Sequence, residues 1–462
     1  MTITSHTQSF ASLGVPTPII DALNVVGVTA PFPIQAVTLA DSLAGRDLLG
    51  RGKTGSGKTI AFAIPLVAAL AKSAERTQSG SRHPGSPRGL VLVPTRELAN
   101  QVAAVIAPLA HAMKLRHTVI YGGVGFGNQT AALRNGVDIV VACPGRLEDL
   151  MQQGHCRLDR VDVTVIDEAD HMADMGFLPA VKRIMDRTAK NGQRMLFSAT
   201  LDNDVKVLID RYLNNPVTHA LDPADSPVEE MTHYQFETTL ADKLGVVTRL
   251  AAGPDRSLLF TRTKHGAKKL VKQLSQSGIP AVELHGNLSQ NARERNLADF
   301  SSGSVSVLVA TDIAARGIHV DDVRLVVHVD PPAEHKAFLH RSGRTARAGA
   351  AGVVITIVTP EQRKDVRSMT RAAGIRPLIS ESVQANNPLL AELAGPAQAT
   401  RHIAKPAPRE GQQQRQRRTS GAATTTQNGR PRRVTQAGRP APSGPNPRSR
   451  QRRPRAAGQT QR

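Results

Sequence analysis

Short apolar runs recur along this chain, separated by stretches long enough for helices, and most of them end abruptly in polar residues. Between 47 and about 220 the β-type runs fall at Asp47-Leu48-Leu49, Gly89 to Val93, Thr118 to Tyr121, Asp138 to Val141, Val163 to Ile166 and Arg194 to Phe197. Helical stretches lie between them, the clearest being the apolar segment from Thr59 to Ala71. Runs of Val, Ile and Leu without alternation read as strands buried on both faces, and strands alternating with helices predict a parallel sheet. A second series runs from about 231 to 380, with strands near Ser257 to Phe260, Ala281 to Leu284, Val305 to Val309, Val323 to Val329 and Val353 to Ile357. Between the two series, Asp222-Pro223-Ala224-Asp225-Ser226-Pro227 breaks the pattern, which predicts a linker over 222–230. Residues 76–88, rich in Ser, Gly, Pro and Arg, read as a flexible loop.

The predicted class is therefore α/β: two tandem parallel-sheet domains, 47–221 and 231–385, with helices on both faces. A segment of 1–46 precedes them, and 386–462 follows as a disordered arginine-rich tail. Beyond about 400, Gln, Arg, Pro, Gly, Ser and Thr dominate without an apolar face. Such a chain cannot bury enough surface to offset its conformational entropy, so disorder is expected.

Charge sharpens the picture. The 462 residues carry a formal net charge of +21, and residues 401–462 hold 16 Lys and Arg against a single acid, Glu410. A mildly basic body with an arginine-rich tail points to a polyanion, most simply nucleic acid. No Phe or Tyr interrupts the tail arginines, so phosphate contact is expected there rather than base stacking. The only cysteines, Cys143 and Cys156, form neither a disulfide framework nor a metal-ligand pattern, which favours a reducing cytoplasm. The first twenty residues contain no Lys or Arg for a signal peptide's basic region, and the longest apolar run, Ile60 to Ala71, is too short for a bilayer. A soluble protein away from membranes is expected.

Two stretches carry chemistry. Gly52-Lys53-Thr54-Gly55-Ser56-Gly57-Lys58-Thr59 matches the phosphate-binding loop pattern in full, set between a strand and an apolar helix as that motif requires. Its backbone N–H groups curl around phosphate oxygens, Lys58 reaches the terminal phosphates, and the Thr59 hydroxyl can ligate magnesium. The second stretch is Val163-Thr164-Val165-Ile166-Asp167-Glu168-Ala169-Asp170, a buried strand running into three carboxylates. In open α/β sheets the carboxyl edge is where ligands sit, so these acids are expected beside a cation. An acidic start to a helix would look similar, and the phosphate loop decides between the readings. Further polar clusters follow strands on the same rim: Pro94-Thr95-Arg96-Glu97, Gly122-Gly123, Cys143-Pro144-Gly145-Arg146 and Ser198-Ala199-Thr200. The second series offers His285-Gly286-Asn287 with Gln290 and Arg293, Thr311-Asp312 with Arg316-Gly317, and His340 followed by Arg341, Arg344 and Arg347. The three arginines, spaced three apart, share one helix face.

These motifs, in this order, make roughly residues 10–380 resemble the DEAD-box family of ATP-dependent RNA helicases, whose name spells Asp167-Glu168-Ala169-Asp170. The resemblance implies two RecA-like domains and an RNA-stimulated ATPase that unwinds short duplexes or remodels RNA–protein complexes. It implies adenine recognition by Phe10 and Gln35, and triphosphate binding by Thr54, Gly55, Ser56, Gly57, Lys58 and Thr59. Asp167 would hold magnesium through water, with Thr59 as a further ligand, and Glu168 would activate the attacking water. Ser198 and Thr200, partnered by Asp170, would connect that site to the RNA surface. Arg344 and Arg347 look like arginine fingers for the γ-phosphate, with His340 between them and the first domain. RNA would contact Thr95, Arg96, Gly123, Gly145, Arg146, Gln290, Arg293 and Thr311, largely independently of sequence. Arginine-rich tails are common on bacterial members, and 257–350 looks like a bacterial branch; ribosomal and RNA-decay complexes are the implied partners.

Some positions depart from the family pattern. Cys143 stands where Thr is common, and Ser342 and Ala346 vary positions without a catalytic role. His319 stands where the family usually has an Asp that accepts from the nucleotide ribose; a neutral imidazole still accepts at one nitrogen but supplies no negative charge. Two other classes compete on the same residues: an RNA chaperone acting through its basic tail, and a DNA translocase of the same superfamily.

Overall fold

A computed structural model describes residues 8–52, 55–76, 82–220, 231–315, 322–346 and 351–396. The first apolar series forms β1 (Leu48–Arg51), β2 (Gly89–Leu92), β3 (His117–Ile120), β4 (Ile139–Ala142), β5 (Val163–Ile166), β6 (Gln193–Ser198) and β7 (Val217–Ala220). These pair in the order β3-β4-β2-β5-β6-β1-β7, and every pairing is parallel. Uninterrupted Val, Ile and Leu runs suit this arrangement because helices cover both faces. Alternate residues feed separate cores: Val91, Val163 and Val165 enter one, while Leu90, Leu92 and Ile166 enter the other. β1, β5 and β6 lie side by side, so the loop after β1, the acids after β5 and Ser198 at the end of β6 share one edge.

The segment ahead of β1 is itself folded. Helices Thr17–Val25 and Pro33–Leu43 begin at prolines, whose fixed φ suits a helix's first turn. They bury Ile19, Leu23, Ile34 and Leu39 completely in the first sheet's core.

The second series forms β8 (Met231–Glu237), β9 (Arg256–Phe260), β10 (Ala281–Leu284), β11 (Val307–Ala310), β12 (Val323–His328), β13 (Gly352–Val358) and β14 (Leu378–Ser380). Their order is β10-β11-β9-β12-β13-β8-β14, again with parallel pairings throughout. β7, β8 and β14 have no counterpart among the expected strands. β7 and β14 lie at sheet edges; β7 alternates half-buried and exposed positions, and β14 is only three residues long with Leu378 and Ile379 exposed. β8 reads Met-Thr-His-Tyr-Gln-Phe-Glu, with Gln235 and Glu237 buried and hydrogen-bonded to each other at 3.0 Å.

One boundary is corrected. Residues 386–396 do not belong to an unstructured tail, because Pro388–Ala394 is a helix that buries Leu390 and Leu393 in the second core. Asn387 caps it, its side-chain oxygen accepting from Leu389 N–H at 3.0 Å. The expected linker 222–230 and the arginine-rich tail beyond 400 lie outside the described residues. Both sheets belong to one compact unit, Met1–Ile403, and are called the first and second lobes below.

Candidate active site and interlobe cleft

The phosphate loop is built around glycines that no other residue replaces. Gly55 and Gly57 have φ of 92° and 90°, and a Cβ on Gly57 would lie 2.6 Å from Gln35 Nε2. Gln35 is fully buried; it accepts from Phe32 N–H at 3.0 Å and donates to Gly57 O at 3.0 Å. Its amide thus ties the N-terminal segment to the loop. Phe10 is only 2% exposed and packs in the core with Val15 and Ile19. The side chain expected to take part in adenine recognition is packed in that core, where an apolar group on the turn before the first helix gains from burial. Thr54 lies outside the described residues; Ser56 and Thr59 are half buried, with Thr59 in the first turn of the Lys58–Arg76 helix.

Lys58 is buried. Its Nζ donates to Gly52 O at 2.8 Å and lies 3.1 Å from Glu168 Oε1. Asp167 continues the β5 ladder through N–H to Leu92 O at 3.0 Å, and its Oδ1 accepts from Glu168 N–H at 3.0 Å. Glu168 then takes a left-handed conformation, φ 52° and ψ 52°, at a cost of roughly 1–3 kcal/mol that its surroundings must offset. Burial opposes ionisation of Glu168, but the positive charge of Lys58, the His171 contact and the charge of Arg344 together hold its carboxyl well below the usual range. Burial, reinforced by the negative charge of Glu168, raises the Asp167 carboxyl instead. Asp167, Glu168 and Asp170 are all under 5% exposed beside one lysine. Excess buried negative charge of this kind fits a divalent cation, with Asp167 as the carboxylate that most needs it.

Asp170 faces the next strand. Its Oδ2 accepts from Thr200 N–H at 3.0 Å and Thr200 Oγ1 at 3.1 Å. Ser198 Oγ accepts from Asp170 N–H at 3.3 Å and donates to Thr200 O at 2.7 Å. Any shift of the Ser198–Thr200 segment is therefore transmitted to the acidic turn.

The second lobe reaches this cluster with the helix His335–Ser342 and the turn after it. His340 Nε2 lies 3.9 Å from Asp170 Oδ2 and Nδ1 lies 3.9 Å from Asp174 Oδ2. Arg341 does not face the other lobe: it forms a two-pronged pair with Asp312 at 2.5 and 2.8 Å, donates to Asp330 O at 2.7 Å and lies over the Phe260 ring. That anchoring fixes the arm carrying Arg344, which is 5% exposed and acts on Glu168. Thr345 pins the turn, donating to Val323 O at 2.5 Å and Arg324 O at 3.0 Å. His319 and Arg347 lie outside the described residues, as does Arg316-Gly317. One turn before His340, Lys336 bonds Asp202 of the first lobe at 2.6 Å. That bond raises the lysine's pKa; burial opposes ionisation of Asp202, but the bond, the lysine's charge and the Val205 and Asp204 N–H groups together lower its pKa.

The residues expected on RNA divide. Gly123 and Gly145 are exposed on the rim. Gly123 has φ 78°, and a Cβ there would lie 2.2 Å from the Arg96 guanidinium. Arg146 is buried, stacked 3.9 Å above the Phe126 ring and donating to Val124 O at 3.0 Å. Thr95 caps the Arg96–Ala112 helix, accepting from Leu98 N–H at 3.2 Å. Thr311 is half buried, and Thr311 N–H donates to Leu284 O at 3.2 Å. Arg96 donates to Gln290 Oε1 across the lobes at 3.2 Å, and Gln290 donates to Glu294 at 3.0 Å. Arg293 is buried at the lobe contact and not on the open rim. Its guanidinium is buried and committed to Glu97 of the first lobe at 2.7 Å, with His285 O at 3.2 Å and Ala314 O at 3.4 Å. Its planar fork of donors suits one carboxylate and two carbonyls at once.

Glu97 therefore matters to the lobe contact more than its place beside Thr95 and Arg96 indicates. Removing one partner of a buried pair leaves an uncompensated charge, a loss of about 3–5 kcal/mol. Glu97→Ala is expected to relieve that loss by separating the lobes, shifting the interlobe equilibrium by roughly two to three orders of magnitude. Fluorescence energy transfer between labels on the two lobes, with an ATP analogue and RNA present, reads the shift; an unchanged distance distribution would refute it.

Fold and site together define a two-lobed parallel-sheet protein in which a phosphate loop and an acidic turn of one lobe meet an arginine turn of the other. Residues 32–208 match the family described as DEAD/DEAH box helicase, and residues 241–349 match the helicase conserved C-terminal domain. The chain is 35% identical over 390 residues to DEAD-box ATP-dependent RNA helicase 20 of Arabidopsis thaliana, covering 84% of this chain and 76% of that protein. It is 42% identical to DEAD-box ATP-dependent RNA helicase 3B, chloroplastic, of Zea mays, over 79% of this chain and 49% of that protein. It therefore spans about half the length of the maize relative. Among solved structures, S. cerevisiae Dbp5 bound to RNA and ADP BeF3 superposes with a TM-score of 0.72 at 26% identity, over 84% of this chain and 99% of that one. The chain belongs to the DEAD-box ATP-dependent RNA helicase family, and its two lobes are RecA-like.

Three participants escaped the sequence reading. Glu97, Lys336 and His171 stand beside motif residues yet were assigned nothing. His171 had a legible signal, three positions after Glu168 and so on the same side of any helical turn.

Proposed function

We propose that this protein hydrolyses ATP in an RNA-stimulated manner and uses the cycle to separate short RNA duplexes or remodel RNA–protein complexes. The observation that carries the reading is the meeting at Glu168, where Lys58 of the phosphate loop touches the carboxylate and Arg344 of the second lobe adds its charge. Lobe contact and hydrolytic competence are then one event. Residues 47–221 form the ATP-binding lobe and 231–396 the second lobe, joined by 222–230.

Lys58 and the loop amides bind the β- and γ-phosphates, and Gln35 holds the loop at the base's side. Asp167 and Thr59 would hold magnesium, which supplies charge neutralisation on the phosphates when bound. Glu168, ionised, orients water and accepts its proton; Arg344, and in the family pattern Arg347, offset charge on the transferred phosphoryl group. The Ser198–Thr200–Asp170 contacts carry RNA occupancy to the acidic turn. Thr95, Arg96, Gly123, Gly145, Arg146, Gln290 and Thr311 line the path proposed for the RNA backbone. His319 is proposed to weaken ribose recognition.

RNA as the polymer is supported by the similarity to Dbp5 in its RNA-bound structure. Residues 401–462, with their 16 Lys and Arg, fit a bacterial type with an arginine-rich tail, and the free state of both cysteines, Cys143 and Cys156, suits a reducing cytoplasm. No helix among the described residues is long and apolar enough to cross a membrane. The test is ATP hydrolysis with RNA and with DNA of equal length and sequence: strong stimulation by RNA alone is expected, and equal stimulation would overturn the RNA assignment. Deleting 401–462 should weaken RNA binding and flatten its salt dependence, because fewer counterions are released, while the rate at saturating RNA stays close to the parent's. A large fall in that rate would place the tail in the catalytic machine.

A further inference from the structure

His171 touches the centre of the site from a position that the proposed mechanism does not use. It follows Glu168 by three residues on the helix Ala169–Asp174, so its ring turns back over the carboxylate. Nδ1 stands 3.1 Å from Glu168 Oε2, and both residues are almost fully buried. Among the described residues neither atom has an aligned hydrogen-bond partner, so each is the other's nearest polar group, whereas Oε1 already receives Lys58. A buried carboxylate oxygen needs a donor, and the imidazole with its proton on Nδ1 is the donor within reach.

The other side of the ring meets the second lobe. His171 and His340 pack edge to face with centroids 4.3 Å apart and planes at 68°. The imidazole is thus held between the catalytic carboxylate of one lobe and the arm that carries Arg344 in the other. Glu168, Asp170 and His171 also lie close enough to suggest a cation. That alternative fails on occupancy: both Asp170 oxygens accept protein donors, from His171 N–H, Thr200 N–H and Thr200 Oγ1, and Lys58 holds Oε1.

We infer that His171 is a positioning residue, which fixes the Glu168 carboxylate in the orientation that activates water and does so fully only when His340 packs against it. The inference rests on the hydrolysis proposed above. While the lobes are apart the imidazole loses its second wall and the carboxylate can turn, so futile hydrolysis is suppressed until RNA and nucleotide bring the lobes together.

Three substitutions in the full chain separate the donor from the packing. His171→Asn keeps an N–H near the Nδ1 position, His171→Leu fills the space without a donor, and His171→Phe keeps a ring against His340 without a donor. The maximal rate of RNA-stimulated hydrolysis is expected to fall roughly 10-fold or more in the Leu and Phe variants, as small misplacements at a reacting centre do. The Asn variant is expected within about 3-fold of the parent, and the KM for ATP and the affinity for RNA within about 2-fold in all three, because the donor acts on orientation and not on binding. Thermal melts establish which variants fold, and either Leu or Phe suffices for the comparison. A parent-like rate in the Leu or Phe variant, an Asn variant as slow as those two, or a loss lying wholly in KM would overturn the positioning role. Absence of RNA-stimulated hydrolysis in the unaltered protein would instead overturn the proposed function, and this inference with it.

Discussion

Arg344→Ala is expected to lower the maximal rate of RNA-stimulated ATP hydrolysis by about 10³–10⁵-fold, the range found when an arginine finger is absent. The size follows from where the side chain sits. It is buried at the lobe contact, on a turn anchored by the Arg341–Asp312 pair and by Thr345, so its charge acts through little water. A lysine should restore little of the rate, since one ammonium cannot reproduce a planar fork of donors. RNA affinity without nucleotide should stay near the parent's, because the residue faces Glu168 and not the rim. Single-turnover hydrolysis at saturating RNA checks the prediction; a loss under about 10-fold would remove Arg344 from the transition state.

Glu168→Gln is expected to reduce the same rate by roughly 10²–10⁴-fold while nucleotide and RNA binding survive. The amide is nearly the same size, so the left-handed turn and its packing can persist, but it is a poor proton acceptor. Its neutrality also leaves Lys58 and Arg344 facing one less negative charge, which should strengthen their hold on the phosphates. The variant should therefore accumulate an RNA- and nucleotide-bound state with the lobes together, visible as slowed RNA release. Hydrolysis at the parent's rate would show that another group activates water, and loss of nucleotide binding would show that the carboxylate is structural.

Where the sequence reading and the structure part company, the reason is the distance over which a partner is chosen. Arg293 stands in a basic, polar context that reads as a nucleic-acid contact, yet its partner Glu97 lies 196 residues earlier in the chain. Gln35 is expected at the adenine, and only the folded chain reveals that it bonds the phosphate loop 22 residues on. Phe10 has no periodic neighbours to announce a core position, but the helices after it bring Val15 and Ile19 around its ring. The helix Pro388–Ala394 is short enough to be lost in the composition of the tail, and it forms because Leu390 and Leu393 find the Lys243–Ala251 helix.

By itself the sequence determined the local architecture: buried strands, because burial on both faces demands an unbroken apolar run, and the phosphate loop, because left-handed turns beside a helix start demand glycine. It also determined the chemical class of the acidic turn, since a phosphate loop in the same chain gives three carboxylates at a strand's end a cation to meet. The tertiary structure alone decided which charges neutralise one another across the lobes. The pairings Arg293 with Glu97 and Lys336 with Asp202, and the placing of His171 between Glu168 and His340, depend on the two lobes meeting. A contact of that kind has no period in the sequence, because each partner is specified by the fold of a different lobe.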